Sequence, residues 1–70
     1  MDEPYFYEIR LEGRLSDRWS SWFAEMEICA GPDGQTLLKG FLVDQAALFG
    51  VLNKVHTLNL TLLSLNRVSS

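Results

Sequence analysis

Seventy residues suffice for one domain, residues 1–70 taken as a single unit, and leave no room for a second, in a size range where a hydrophobic core supplies only roughly 3 to 5 kcal/mol of net stability. Hydrophobic residues make up 47% and charged residues 21%, a balance that excludes a disordered or fibrous chain. Six basic against nine acidic residues give a net charge of −3, and the basic ones are scattered, so no basic stripe is present to neutralise a phosphate backbone.

The first periodic segment is 5–11, where Tyr5, Tyr7, Ile9 and Leu11 alternate with Phe6, Glu8 and Arg10. That period of two marks a strand with one buried face. Gly13 closes it. Ser16 then offers an N-cap with Asp17 in the first turn, and Trp19, Trp22 and Phe23 at i, i+3 and i+4 predict a short helix whose three rings dock together on the sheet. This stripe implies that Trp22 is buried. Residues 25–30 alternate again, and Gly31-Pro32-Asp33-Gly34 is a turn signal before the apolar segment 36–43, which together predict a β-hairpin. The return strand carries apolar residues on both faces, Leu38, Gly40 and Leu42 against Leu37, Phe41 and Val43, so either face fits a core. Asp44 caps a second helix whose stripe is Ala47, Leu48, Val51, Leu52, Val55 and Leu58, ending near Asn59. Gly40 and Gly50 fit close approach of neighbouring atoms. Residues 60–68 form the last strand.

The order β-α-β-β-α-β predicts an α+β fold, a compact ferredoxin-like sandwich with two helices on one face of a four-stranded antiparallel sheet. A single cysteine, Cys29, allows no intramolecular disulfide, and a reducing cytoplasm is the expected compartment. The opening MDEPYFYEIR is acidic and alternating, the reverse of a secretory leader. No apolar run reaches the roughly 18 to 20 residues that span a bilayer, so no membrane association is expected.

Candidate chemistry is sparse. His56 has no second His, Cys or acid at i±3 or i±4 to share a metal, and reads as a solvated helix-flank residue. Cys29 lies between Ile28 and Ala30 with no local group to activate a thiolate. Glu25 and Glu27 fall on one strand face about 7 Å apart, from two residues at roughly 3.4 Å each; acids so spaced more often discourage edge aggregation than transfer protons. Ser16, Ser20 and Ser21 lack a nearby base and a G-x-S-x-G turn. The Gly31–Gly34 loop joins two strands and opens no helix, so it offers no phosphate cradle. No catalytic residue, metal site or cofactor is expected.

What survives is the sheet face away from the helices. The topology makes the first and third strands central neighbours, so Phe6, Glu8, Arg10, Lys39 and Phe41 are expected to share one uncovered surface. Aromatics among charges on a bare sheet resemble the surface of single-stranded RNA readers, but the acidic balance and the lack of a K/R-G-F-x-F-like run count against nucleic acid. The better-supported expectation is an interaction module that binds itself, as a homodimer, or another protein. An alternative is a ligand-binding or catalytic domain resembling the dimeric α/β barrels, which enclose an aromatic-lined cavity between two sheets.

The runs VDQAALFGVLNKV in 43–55, LLSLNRV in 62–68 and YEIRLEGRLSDRWSSWF in 7–23 resemble a family of small bacterial proteins of uncharacterised function, common in cyanobacteria and actinobacteria. The resemblance spans nearly the whole chain. It implies a bacterial, cytoplasmic protein and carries no assigned functional residue.

Overall fold

The structure is a computed structural model that describes residues 5–19, 21–23 and 26–68, the side chain of Asp17 excepted. Four strands, β1 (Tyr5–Glu12), β2 (Glu27–Ala30), β3 (Thr36–Leu42) and β4 (Thr61–Val68), form one antiparallel sheet in the order β2-β3-β1-β4. One helix, α1 (Gln45–Thr57), packs on it. The α+β class and the four-stranded antiparallel sheet are therefore as the pattern indicates, and β1 and β3 are the central pair.

The ferredoxin-like sandwich with two helices is not what the chain builds. In place of the first helix, the described residues form a 3-10 turn, Asp17–Trp19, and then tight turns. The Trp19 amide donates to the Ser16 carbonyl at 3.0 Å, and the Trp22 and Phe23 amides both donate to the Trp19 carbonyl at 3.0 and 3.1 Å. Two turns rich in serine and aspartate are too short and too poor in helix formers to nucleate an α-helix. The three rings consequently do not share a face. Phe23 is 0% exposed, Trp19 is half-buried, and Trp22 is 39% exposed, so Phe23 is the anchor and Trp22 lies at the surface with its edge to Trp19, ring centroids 6.2 Å apart.

The rest of the connection is tied down by Thr36, a buried polar residue at the start of β3. Its hydroxyl donates to the Gly13 carbonyl at 2.7 Å and accepts from the Leu15 amide at 2.9 Å. One side chain thus satisfies two groups of a chain reversal in which Gly13 has φ +92°. Thr36→Val keeps the shape and orphans both partners, so it should cost about 1 to 3 kcal/mol, read as a drop in urea midpoint with an unchanged slope.

The hairpin forms as its turn sequence indicates. Asp33 and Gly34 take left-handed φ of 56° and 76°, the Gly31 amide donates to the Gln35 carbonyl at 2.8 Å, and β2 pairs with β3 from Glu27↔Lys39 to Ala30↔Thr36. The open question of which β3 face is buried resolves by register: Thr36, Leu38 and Leu42 point into the core and Phe41 points out.

Asp44 caps α1 by accepting from the Ala47 amide at 2.8 Å. Leu48, Val51 and Val55 are buried, with Ala47, Leu52 and Leu58 packed beside them, so the helical stripe is the one the spacing defines. At the other end Asn59, at φ 59°, closes a Schellman motif: its amide donates to the His56 carbonyl at 2.9 Å and the Leu60 amide to the Val55 carbonyl at 3.1 Å. Gly50 corrects the expectation of close approach. It is exposed, and a Cβ built there meets no atom within 4 Å. Gly50→Ala should therefore stabilise the protein by about 0.5 to 1 kcal/mol through backbone entropy alone, seen as a higher melting temperature.

Candidate interaction face

Because opposite residues in an antiparallel pair share a face, the strand register fixes the surface turned away from α1. Three cross-strand rows define it. The first is Val68, Phe6 and Phe41; the second is Asn66, Glu8, Lys39 and Glu27; the third is Ser64, Arg10, Leu37 and Cys29. All five residues expected to share this surface, Phe6, Glu8, Arg10, Lys39 and Phe41, fall within these rows on the two central strands.

Within the first row the Phe6 and Phe41 rings meet edge to face, centroids 5.1 Å apart and planes at 70°, the arrangement that the ring quadrupoles favour. Phe6 is half-buried by this contact, whereas Phe41 remains 65% exposed. In the second row Lys39 lies directly between Glu8 and Glu27 on its neighbouring strands, so the charges of the row alternate in sign with an excess of one negative charge. A protein surface can meet such a row by hydrogen bonding, but a polyanion finds little attraction in it.

The other singled-out residues scatter. Cys29 is a half-buried free thiol in the third row, facing Leu37. His56 is exposed on α1. Ser16 accepts from the Arg18 amide at 3.4 Å, a weak cap for the 3-10 turn. Glu27 is exposed on β2, while Glu25 and Ser20 lie outside the described residues. Among the described residues no three of His, Cys, Asp and Glu gather closely enough to hold a metal, and no helix is long and apolar enough to cross a membrane.

Sequence reasoning did not reveal the clefts. Two open clefts, about 270 and 300 Å³, meet along Arg14, Leu15 and Ser16; Ile28, Ala30 and Thr36 help to line one, and Arg18, Trp19 and Leu60 the other. They lie along the irregular path of residues 13–19, which no periodicity reveals. The Arg18 guanidinium lies 5.5 Å from the Trp19 ring centroid and so is held at the cleft rim.

No curated protein and no solved structure gives a significant match to the chain. A family model described as a domain of unknown function, DUF8691, matches residues 6–66, and the chain belongs to that family.

Proposed function

We propose that the protein is a small, non-catalytic interaction module of the bacterial cytoplasm that buries Phe6 and Phe41 against a protein surface, whether of a second copy or of another protein. The observation that carries this reading is Phe41, an aromatic residue 65% exposed on a central strand, in the end row of a sheet face that no helix covers among the described residues. Large exposed aromatics flanked by polar rows are characteristic of docking surfaces. The alternating charges of Glu8, Lys39 and Glu27, negative in sum, and the net charge of −3 favour a protein over a nucleic acid, and the single cysteine suits a reducing compartment.

Phe41→Glu should leave a cooperatively folded protein whose melting temperature falls by no more than about 8 °C, since the residue is outside the core, and abolish association with the partner in a co-purification assay. Association that persists undiminished in that variant sinks the reading. A second reading, binding of a small ligand, draws support from the two clefts at Arg14 and Ser16, whose guanidinium, hydroxyl and indole groups suit an anion with an apolar body. Under that reading, titration with a small aromatic carboxylate shifts the amide resonances of Leu15 and Ser16 and leaves those of Phe6 and Phe41 in place.

A further inference from the structure

We propose that β4 is the seam of a two-fold dimer: a second copy of the chain adds its own β4 antiparallel to this edge and joins two four-stranded sheets into one of eight strands. The seam is the edge of the sheet and not its outer face, so this inference does not depend on the reading above.

The two edges of the sheet are unlike. β2 is four residues long and bears the exposed Glu27, two of the devices by which proteins discourage strand addition. β4 is eight residues long, TLLSLNRV, with no proline, no lysine and no acid. Its one charged residue, Arg67, is held over the Tyr5 ring at 4.3 Å from the centroid. The register with β1 shifts between Arg10 and Leu11, which leaves Leu63 as an extra residue, so the regular stretch from Ser64 to Val68 is the usable template.

The side chains beside this edge are unfinished core. Leu65 and Leu62 lie opposite Ile9 and Leu11, both buried, and so point to the helix side of the sheet, yet they are 37% and 44% exposed. Lys54 lies against Trp22, 6.0 Å from its ring centroid, which turns that flank of α1 toward the 13–26 connection. Phe49, five residues earlier and therefore about 140° round the helix, is on the opposite flank, where it is 59% exposed and shares its stripe with the exposed Gln45 and His56.

Self-pairing is what this edge fits. A strand meeting its own copy antiparallel places the two-fold axis perpendicular to the sheet, with both helices on one side. Centred on Leu65, the axis brings Leu65 against its symmetry mate beneath the two helices, and sets Ser64 of each copy opposite Asn66 of the other on the outer face. No Asp or Glu occurs after Asp44, so in a chain of net charge −3 the α1–β4 flank is the surface on which two copies meet without opposing carboxylates. The paired sheet carries two Phe6–Phe41 rows on the same side, which makes any docking through the outer face bivalent.

The test is sedimentation equilibrium of the full chain from micromolar to millimolar concentration, with two variants. The wild type should be a dimer, Leu65→Lys a folded monomer, and Phe41→Glu a dimer. Because a lysine at the edge could also disturb the fold, Leu65→Cys in a Cys29→Ala background gives an independent readout. Opposite residues across an antiparallel seam have Cα atoms about 4.5 to 5.5 Å apart, within disulfide reach, so mild oxidation should convert this variant to a covalent dimer. A wild type that stays monomeric throughout overturns the seam and leaves the outer face to a different protein. A dimer that Phe41→Glu dissociates, with no cross-link through Leu65→Cys, overturns the seam and moves self-association to the outer face.

Discussion

Phe23→Ala should abolish the cooperative urea transition followed by tryptophan fluorescence. The ring is fully buried and belongs to the core that joins the 13–26 connection to the sheet and helix. Its removal costs about 3 to 5 kcal/mol in lost transfer energy and residual cavity, which is close to the entire stability expected of a domain this small. The neighbouring Trp22 provides the contrast. It is the larger side chain and the more prominent in the sequence, but it is half in solvent and held by an edge contact to Trp19 and by the Lys54 ammonium. Trp22→Ala should therefore cost about 1.5 kcal/mol or less and leave a folded protein. Equal losses for the two variants would mean that the connection packs as a regular helix after all.

Leu38→Ala is expected to be nearly as damaging, at about 2 to 5 kcal/mol. Leu38 lies on the third strand directly opposite Ile9, and both are fully buried, so the cavity opens at the centre of the β1–β3 pair where little can collapse into it. Three residues further on, Phe41→Ala should cost only about 1 kcal/mol or less, the cross-strand contact with Phe6 being its main stake in the folded state. The pair of variants reports directly on which face of β3 is inside. The expected asymmetry, large at Leu38 and small at Phe41, is opposite to what a core on the Phe41 side gives.

Much of this architecture is legible without coordinates, and the reasons differ by element. The first strand and α1 announce themselves because their apolar residues keep to one period, two in the former and 3.6 in the latter, and because Asp44 marks the helix start chemically. The hairpin is legible from Gly31-Pro32-Asp33-Gly34, since few residues tolerate the left-handed conformations found at Asp33 and Gly34. Segment 16–23 misleads for a physical reason: the spacing of Trp19, Trp22 and Phe23 satisfies a helical template, but spacing says nothing about whether two turns can pay for nucleation. Strand β3 is undetermined by pattern because both of its faces are apolar, and only pairing with Ile9 and Leu11 selects one.

The candidate face was legible to the same depth. Alternation along β1 and adjacency of β1 and β3 are enough to bring Phe6, Glu8, Arg10, Lys39 and Phe41 to one surface, as the register shows. Two features lay beyond sequence. The clefts at Arg14 and Ser16 depend on an irregular connection clamped by Thr36, and the exposure of the β4 leucines depends on how the rest of the chain packs beside that edge. In the sequence LLSLNRV reads as an apolar last strand at the edge of the β1–β3 pair, and the partial exposure of Leu62 and Leu65 is a matter of packing that no pattern shows.

The most direct measurement of the central claim is site-specific photo-cross-linking in the cell, with benzoylphenylalanine replacing Phe41 in one strain and Arg14, on the cleft side of the molecule, in another. An interaction module that docks through its uncovered sheet face gives one discrete adduct from position 41, lost when Phe6→Glu is added, and none from position 14. Adducts from position 14 alone, or none from position 41 beyond a diffuse background, would contradict the account and shift attention to the clefts.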